Sequence, residues 1–156
     1  MKRLISFCFL LAVAALATGA DVKPRPEIMG VALGMGRDEA QARLKSIGSM
    51  DQPERKRQEV WAIRDPRISH LIVGYDAEYR VRYVTALARP NGPRISYQEV
   101  AGLQNGRLLN NQGHYTLTRE IGERPGQFAY VMIAHGRDPQ YLDSYSIKRV
   151  EEEEID

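Results

Sequence analysis

A single cysteine, Cys8, occurs in the 156 residues, and it lies among the first twenty. Beyond that point there is no disulfide and no thiol chemistry, so stability has to come from a buried core. Lysine is scarce as well, with four residues after position 20 against sixteen arginines. Net charge is nearly absent: the formal +2 comes from Lys2 and Arg3, and the remaining acidic and basic side chains cancel. A balance of that kind names no polyanionic partner, and no nucleic acid is expected. The longest apolar stretch, Leu4 to Ala17 with Ser6 inside it, is shorter than the roughly 20 residues a spanning helix needs. There is no Gly-x-Ser-x-Gly elbow, phosphate-cradling loop or dinucleotide fingerprint. The three histidines, His70, His114 and His135, are scattered without metal-ligand spacing. No cofactor, no metal and no catalytic residue are therefore expected, and the chain reads as a non-enzyme. With 43% hydrophobic and 27% charged residues, long disorder, a collagen-like repeat and a membrane bundle are all excluded.

The first twenty residues have three parts. Met1-Lys2-Arg3 is a basic start, Leu4 to Ala17 the apolar stretch, and Ala17-Thr18-Gly19-Ala20 a run of small residues before Asp21. This is the pattern of a cleavable signal peptide over 1–20. Export without disulfides predicts a periplasmic or secreted bacterial protein with no stable membrane span after cleavage.

Residues 21–29, with Pro24 and Pro26, read as an extended leader, and 30–150 as one domain. Acidic residues in a first turn, then Ala40, Leu44 and Ile47 before Gly48, predict a helix, with Glu39 and Arg43 paired four residues apart. Asp51 to Glu59 reads as a charged connector. Period-two patterns predict strands at Val60 to Arg64, Ile68 to Tyr75 and Tyr79 to Ala88, the last two a hairpin about Asp76-Ala77-Glu78. After Pro90-Asn91-Gly92-Pro93, Ser96 and Glu99 read as a capping box for a second helix carrying Val100, Leu103 and Leu108. That helix decays into the loop Asn110-Asn111-Gln112-Gly113. Strand patterns follow at Tyr115 to Ile121, Phe128 to His135 and Tyr141 to Val150. Glu151 to Asp156 is an acidic tail, expected to be disordered.

In order this is helix and three strands, twice. A shift of 60 residues, which preserves inward and outward strand positions, superposes Leu71 on Val131, Val73 on Ile133 and Leu87 on Ile147. The pattern predicts two αβββ pseudo-repeats, 30–89 and 91–150; the alternative is one six-stranded sheet with two helices of matching length. Both give an α+β fold, an antiparallel sheet with helices on one face.

The stretch Gly30-Val31-Ala32-Leu33-Gly34-Met35-Gly36-Arg37-Asp38-Glu39-Ala40, continuing to Leu44 and Gly48, resembles the helix opening of the SmpA/OmlA (BamE-like) envelope proteins. It is equally similar to repeats of the β-lactamase-inhibitor-protein-like (BLIP-like) group. In both, a Leu-Gly-Met turn leads into a capped helix, and an aromatic-bearing strand follows, here with Trp61. The likeness covers Gly30 to Arg89. It departs at Gly36, where the cap is usually Ser or Thr, and in lacking the lipidated cysteine of an outer-membrane assembly lipoprotein. What it implies is a protein-binding scaffold whose sheet receives a partner, with no catalytic residues.

The aromatic content points the same way. Ten aromatics follow residue 20: eight tyrosines, Trp61 and Phe128. Tyrosine and arginine are enriched at binding surfaces and lysine is depleted. Trp61, Tyr75, Tyr79, Tyr83, Tyr130 and Tyr145 lie on or beside predicted strands, and Arg80 and Arg82 alternate with Val81 and Tyr83. Together they form a candidate binding face for another exported or envelope protein. The alternative is an exported small-molecule binder or hydrolase in which His70 and His135 approach each other beside Asp76 or Glu120.

Overall fold

The computed structural model describes residues 26–122 and 129–150. The predicted signal peptide, most of the leader and the acidic tail lie outside the described residues. Among those described, no helix is long and apolar enough to cross a membrane.

Among the described residues the fold is mostly β, 55% strand and 9% helix, which overturns the predicted α+β arrangement of helices on a sheet. A short ribbon, β1 (Glu27–Ile28) and β2 (Val31–Ala32), leads into α1 (Arg37–Ile47), the one helix among the described residues. Four strands follow: β3 (Gly48–Arg55), β4 (Gln58–Ile63), β5 (Ile68–Tyr75) and β6 (Val81–Ala88). After β7 (Ile95–Ser96) come β8 (Arg107–Asn111), β9 (His114–Ile121), β10 (Tyr130–Gly136), β11 (Tyr141–Leu142) and β12 (Ser144–Arg149). Eight strands form one antiparallel sheet in the order β3-β4-β5-β6-β12-β10-β9-β8. Two four-stranded meanders thus meet through their last strands, β6 and β12. β11 pairs with β7 in a small separate ribbon.

Helix α1 forms for the reasons its sequence suggests. Gly36 caps it in an extended conformation, Asp38 and Glu39 sit in the first turn, and Ala40 and Leu44 are buried. The Gly48 amide closes it by donating to the Leu44 carbonyl. Arg43 is drawn to the Met29 carbonyl (3.0 Å), tying the helix to the N-terminal ribbon.

The predicted second helix does not form. Half of its capping box is present, since the Ser96 amide donates to Glu99 Oε2 (2.9 Å). But Gly102 and Asn105 have φ of +92° and +66°, a left-handed conformation no helix interior accepts. The segment runs instead as four-residue turns, with Leu103 N bonded to Val100 O and Gly106 N to Leu103 O. It still buries Ile95, Tyr97, Val100 and Leu103 against the sheet, as a helix would have done.

One sheet face is therefore covered by α1, the β1–β2 ribbon and this turn layer. Trp61, Leu71, Val73, Val84, Ala86, Ile147, Met132, Ala134 and Leu117 point into that core. The two strands of the eight-stranded sheet absent from the sequence prediction are β3, in the predicted charged connector, and β8, at the predicted helix end. They are the outermost strands of the sheet. Every residue of β8 is exposed, and β3 is exposed except at Gly48 and Glu54, so neither carries the alternation that marks a half-buried strand.

Candidate functional site: the open face of the sheet

The face away from the cover layer is bare among the described residues. Strand register places its side chains in rows. One runs Val60, Ile72, Thr85, Ser146, Ile133 and Thr118 from β4 to β9, a width of about 24 Å at the usual strand spacing. All six are half-buried. A parallel row includes Ala62, His70, Leu87, Ser144, His135 and Thr116. In a third, Gln58, Gly74, Tyr83, Lys148 and Val131 lead to Glu120. Aliphatic and hydroxyl groups dominate, and Lys148, Glu120 and Arg107 place charge toward the margins.

Of the eight residues assigned to a binding face from sequence, only Tyr83 lies squarely on this surface. Its ring covers Gly74, where an added Cβ would stand 2.0 Å from Tyr83 Cε1, and its hydroxyl donates to Gln58 Oε1. The packing resembles the shielding of a strand glycine by a cross-strand aromatic. Burial pushes the Tyr83 phenol up, against the lowering influence of Arg82. Arg82 sits at an irregularity in β6, 6.0 Å from the Tyr83 ring centroid.

The other assignments move. Trp61 and Tyr75 are 1% and 4% exposed and belong to the core. Tyr145 lies on the core face between Ala86 and Ala134, half-buried, and Tyr130 is half-buried on the same face near the sheet end. Tyr79 and Arg80 occupy the β5–β6 hairpin beside the start of α1, where Arg37 approaches the Tyr79 ring at 5.4 Å and Arg80 Nη1 reaches the Gly34 carbonyl at 3.4 Å. The expected tyrosine cluster is thus not assembled. A register shift between Gly74 and Tyr75 separates Tyr83 from Trp61, Tyr75, Tyr130 and Tyr145, which face the core by the alternation of their own strands: Gly74 faces Tyr83 but Tyr75 faces Val81. Val81 and Val84 both reach the core, while Tyr83, Thr85 and Leu87 turn to the open face. An unbroken period of two assigns Val81 and Tyr83 to one side, which the bulge forbids.

The histidine–carboxylate site is not assembled either. His70 and His135 share a row but stand three strand spacings apart, about 14 Å. His70 Nε2 is 3.8 Å from Asp51, and His135 Nδ1 is 3.1 Å from Thr116 Oγ1. Asp76 serves its hairpin, accepting from the amides of Glu78 and Arg80, and Glu120 is exposed on β9. Among the described residues no three His, Cys, Asp or Glu side chains gather as a metal site.

On the covered side, two arrangements carry charge. Glu59 is fully buried on β4, in the same inward alternation as Trp61 and Ile63. Its Oε1 accepts from Gln41 Nε2 (2.7 Å) and Arg37 Nε (3.0 Å); its Oε2 accepts from Tyr75 Oη (3.0 Å) and Trp61 Nε1 (3.1 Å). Arg37 also reaches Glu54 at 2.8 Å. Burial alone would raise the Glu59 pKa, but the hydrogen bonds from Gln41, Trp61, Tyr75 and Arg37 outweigh it and hold the carboxyl below its ordinary value. The same environment, burial first and then the Glu59 charge, pushes the Tyr75 phenol up. Both carboxylate oxygens are occupied, so Glu59 is an ionised anchor joining α1, β4 and β5.

The second is a cleft of about 340 Å³ between β1 and the turn layer, with Met29, Ile68, Val100, Met132 and Tyr145 on its walls. Arg67 and Glu99, paired at 2.6 Å, also line it. Elsewhere, arginines that border the groove after β6 are engaged: Arg89 donates to the carbonyls of Ile63, Asp65 and Ile68, Arg94 pairs with Asp138, and Arg137 pairs with Asp143. The only surface in this set that is both broad and continuous is the open face.

Compared with known proteins, the chain matches no family model, no curated protein and no solved structure.

Proposed function

We propose that the chain is an exported, non-enzymatic scaffold that binds another exported or envelope protein through the open face of its sheet. The observation that carries this is the uncovered face itself, six central strands wide, whose middle row is aliphatic and hydroxyl and has no charge. A broad uncovered face of aliphatic and hydroxyl groups, with its charges toward the margins, supports an interaction site. About 20 to 30 residues on each side make a standard protein interface, a number that a face of eight strands supplies. Export is supported by the basic, apolar and small-residue segments of Met1 to Ala20. The likeness of Gly30 to Arg89 to SmpA-like and BLIP-like proteins favours the same class, in which inhibition and envelope assembly both rest on a sheet that receives a partner.

Affinity capture from the native envelope tests the reading. Wild-type protein is expected to retain a specific partner, and Ile133→Arg or Thr85→Arg to lose at least tenfold of it with unchanged circular dichroism. Gln98→Arg, exposed in the cover layer, should retain it in full. Retention by both open-face variants, with loss by Gln98→Arg, would move the interface to the other side.

A further inference from the structure

The two ends of the eight-stranded sheet differ in how they are finished. Edge strand β3 contains Pro53, which has no amide to donate, together with Asp51, Glu54 and Arg55, and two register shifts against β4. Each of these blunts an edge against pairing with another strand. Edge strand β8 has no proline and no register shift. Its five residues pair with β9 in unbroken register, it carries one charge, Arg107, and its Leu108 and Leu109 are 44% and 48% exposed.

The hairpin joining β8 to β9 shows which backbone groups point outward. Gln112 and Gly113 have φ of +52° and +85° between the facing residues Asn111 and His114, a two-residue turn of the type that matches strand twist. The residues closing such a turn bond to each other, so by alternation Arg107, Leu109 and Asn111 bond to β9. The amides and carbonyls of Leu108 and Asn110 then face away from the sheet.

We propose that β8 pairs with β8 of a second copy of this chain, antiparallel, about a two-fold axis at Leu109. In that register Leu108 of each copy meets Asn110 of the other as a hydrogen-bonded pair, satisfying all the outward backbone groups of both residues. Leu109 meets its own counterpart as the close, non-hydrogen-bonded pair, on the open side of the sheet. Arg107 falls opposite Asn111, so no like charges oppose each other. The two-fold is perpendicular to the sheet, which therefore continues as sixteen strands with both open faces on one side. The strand is short, so the pairing is concentration-dependent.

Sedimentation of the purified protein over a concentration series tests this. A monomer–dimer equilibrium is expected. Leu109→Lys and Leu109→Glu each place like charges opposite one another and should weaken the dimer at least tenfold, leaving a folded monomer because the side chain is already half in water. An equimolar mixture of the two variants should recover the dimer as a heterodimer. Met50→Lys, on the blunted edge, should leave the wild-type equilibrium unchanged. A protein that stays monomeric throughout, a dimer lost with Met50→Lys and kept with Leu109→Lys, or a mixture that fails to recover would each overturn the proposal.

Discussion

Glu59→Ala is expected to remove about 3–5 kcal/mol of folding stability, the scale for taking one partner from a buried, hydrogen-bonded charge pair. Four groups lose their acceptor at once: the guanidinium of Arg37, the amide of Gln41, the indole of Trp61 and the phenol of Tyr75. No disulfide stands behind this core, and a whole domain is worth only about 5–15 kcal/mol, so much of the variant is expected to be unfolded. Glu59→Gln keeps the volume and one acceptor oxygen, and should fall between the variant and wild type. Acid separates the two effects. Because the folded carboxyl titrates below its ordinary value of 4.5, its contribution is complete above that value and is lost as pH falls through the folded pKa. Urea unfolding near neutral pH and again in acid should show wild type losing this part of its stability, while Glu59→Gln, with nothing to protonate there, loses less. Equal acid losses in the two proteins would remove Glu59 from its role as the ionised anchor.

Trp61→Ala should be comparably severe, about 3–5 kcal/mol, the range for deleting a fully buried large aromatic. It empties the centre of the core beside Leu71 and leaves Glu59 Oε2 with Tyr75 alone. Trp61→Phe retains most of the packing and loses the indole donor, an expected cost of about 1–3 kcal/mol. Denaturant unfolding measures both. Since indole and phenol share one oxygen, the pair Trp61→Phe and Tyr75→Phe should be non-additive. Any partner binding lost by Trp61→Ala is then a folding effect, whereas Tyr83→Ala, on the open face, should stay folded. A Trp61→Ala protein as stable as wild type would place the indole outside the core.

How much of this was legible in the sequence follows from where each residue sits between water and core. Helix α1 and the strands with one buried side were readable, because Ala40 and Leu44, or Leu71 and Val73, repeat at the period of their element. β3 and β8 were not, since a strand exposed on both faces leaves no alternation. The Ser96/Glu99 pair misled in another way: a reach-back hydrogen bond starts a turn as well as a helix, and Gly102 and Asn105 decide between them. The shift between Gly74 and Tyr75 reverses the facing of β6 beyond Val81 and sends Tyr83 to the open side, away from Trp61, Tyr75, Tyr130 and Tyr145, which face the core. Trp61 and Tyr75 were assigned to the surface because aromatic side chains are enriched at binding surfaces. A signal for their burial was nonetheless present: Glu59, Trp61 and Ile63 share one face of a strand, placing an acceptor beside the donors.

Site-specific photo-crosslinking in the native host tests the central claim, that the open face is where a partner binds. With a benzophenone amino acid introduced singly at Ile72, Thr85 and Ile133 on that face, and at Lys45 and Gln98 on the cover layer, the account predicts one common adduct from the first three positions and none from the other two. An adduct formed only from Lys45 or Gln98 would contradict it.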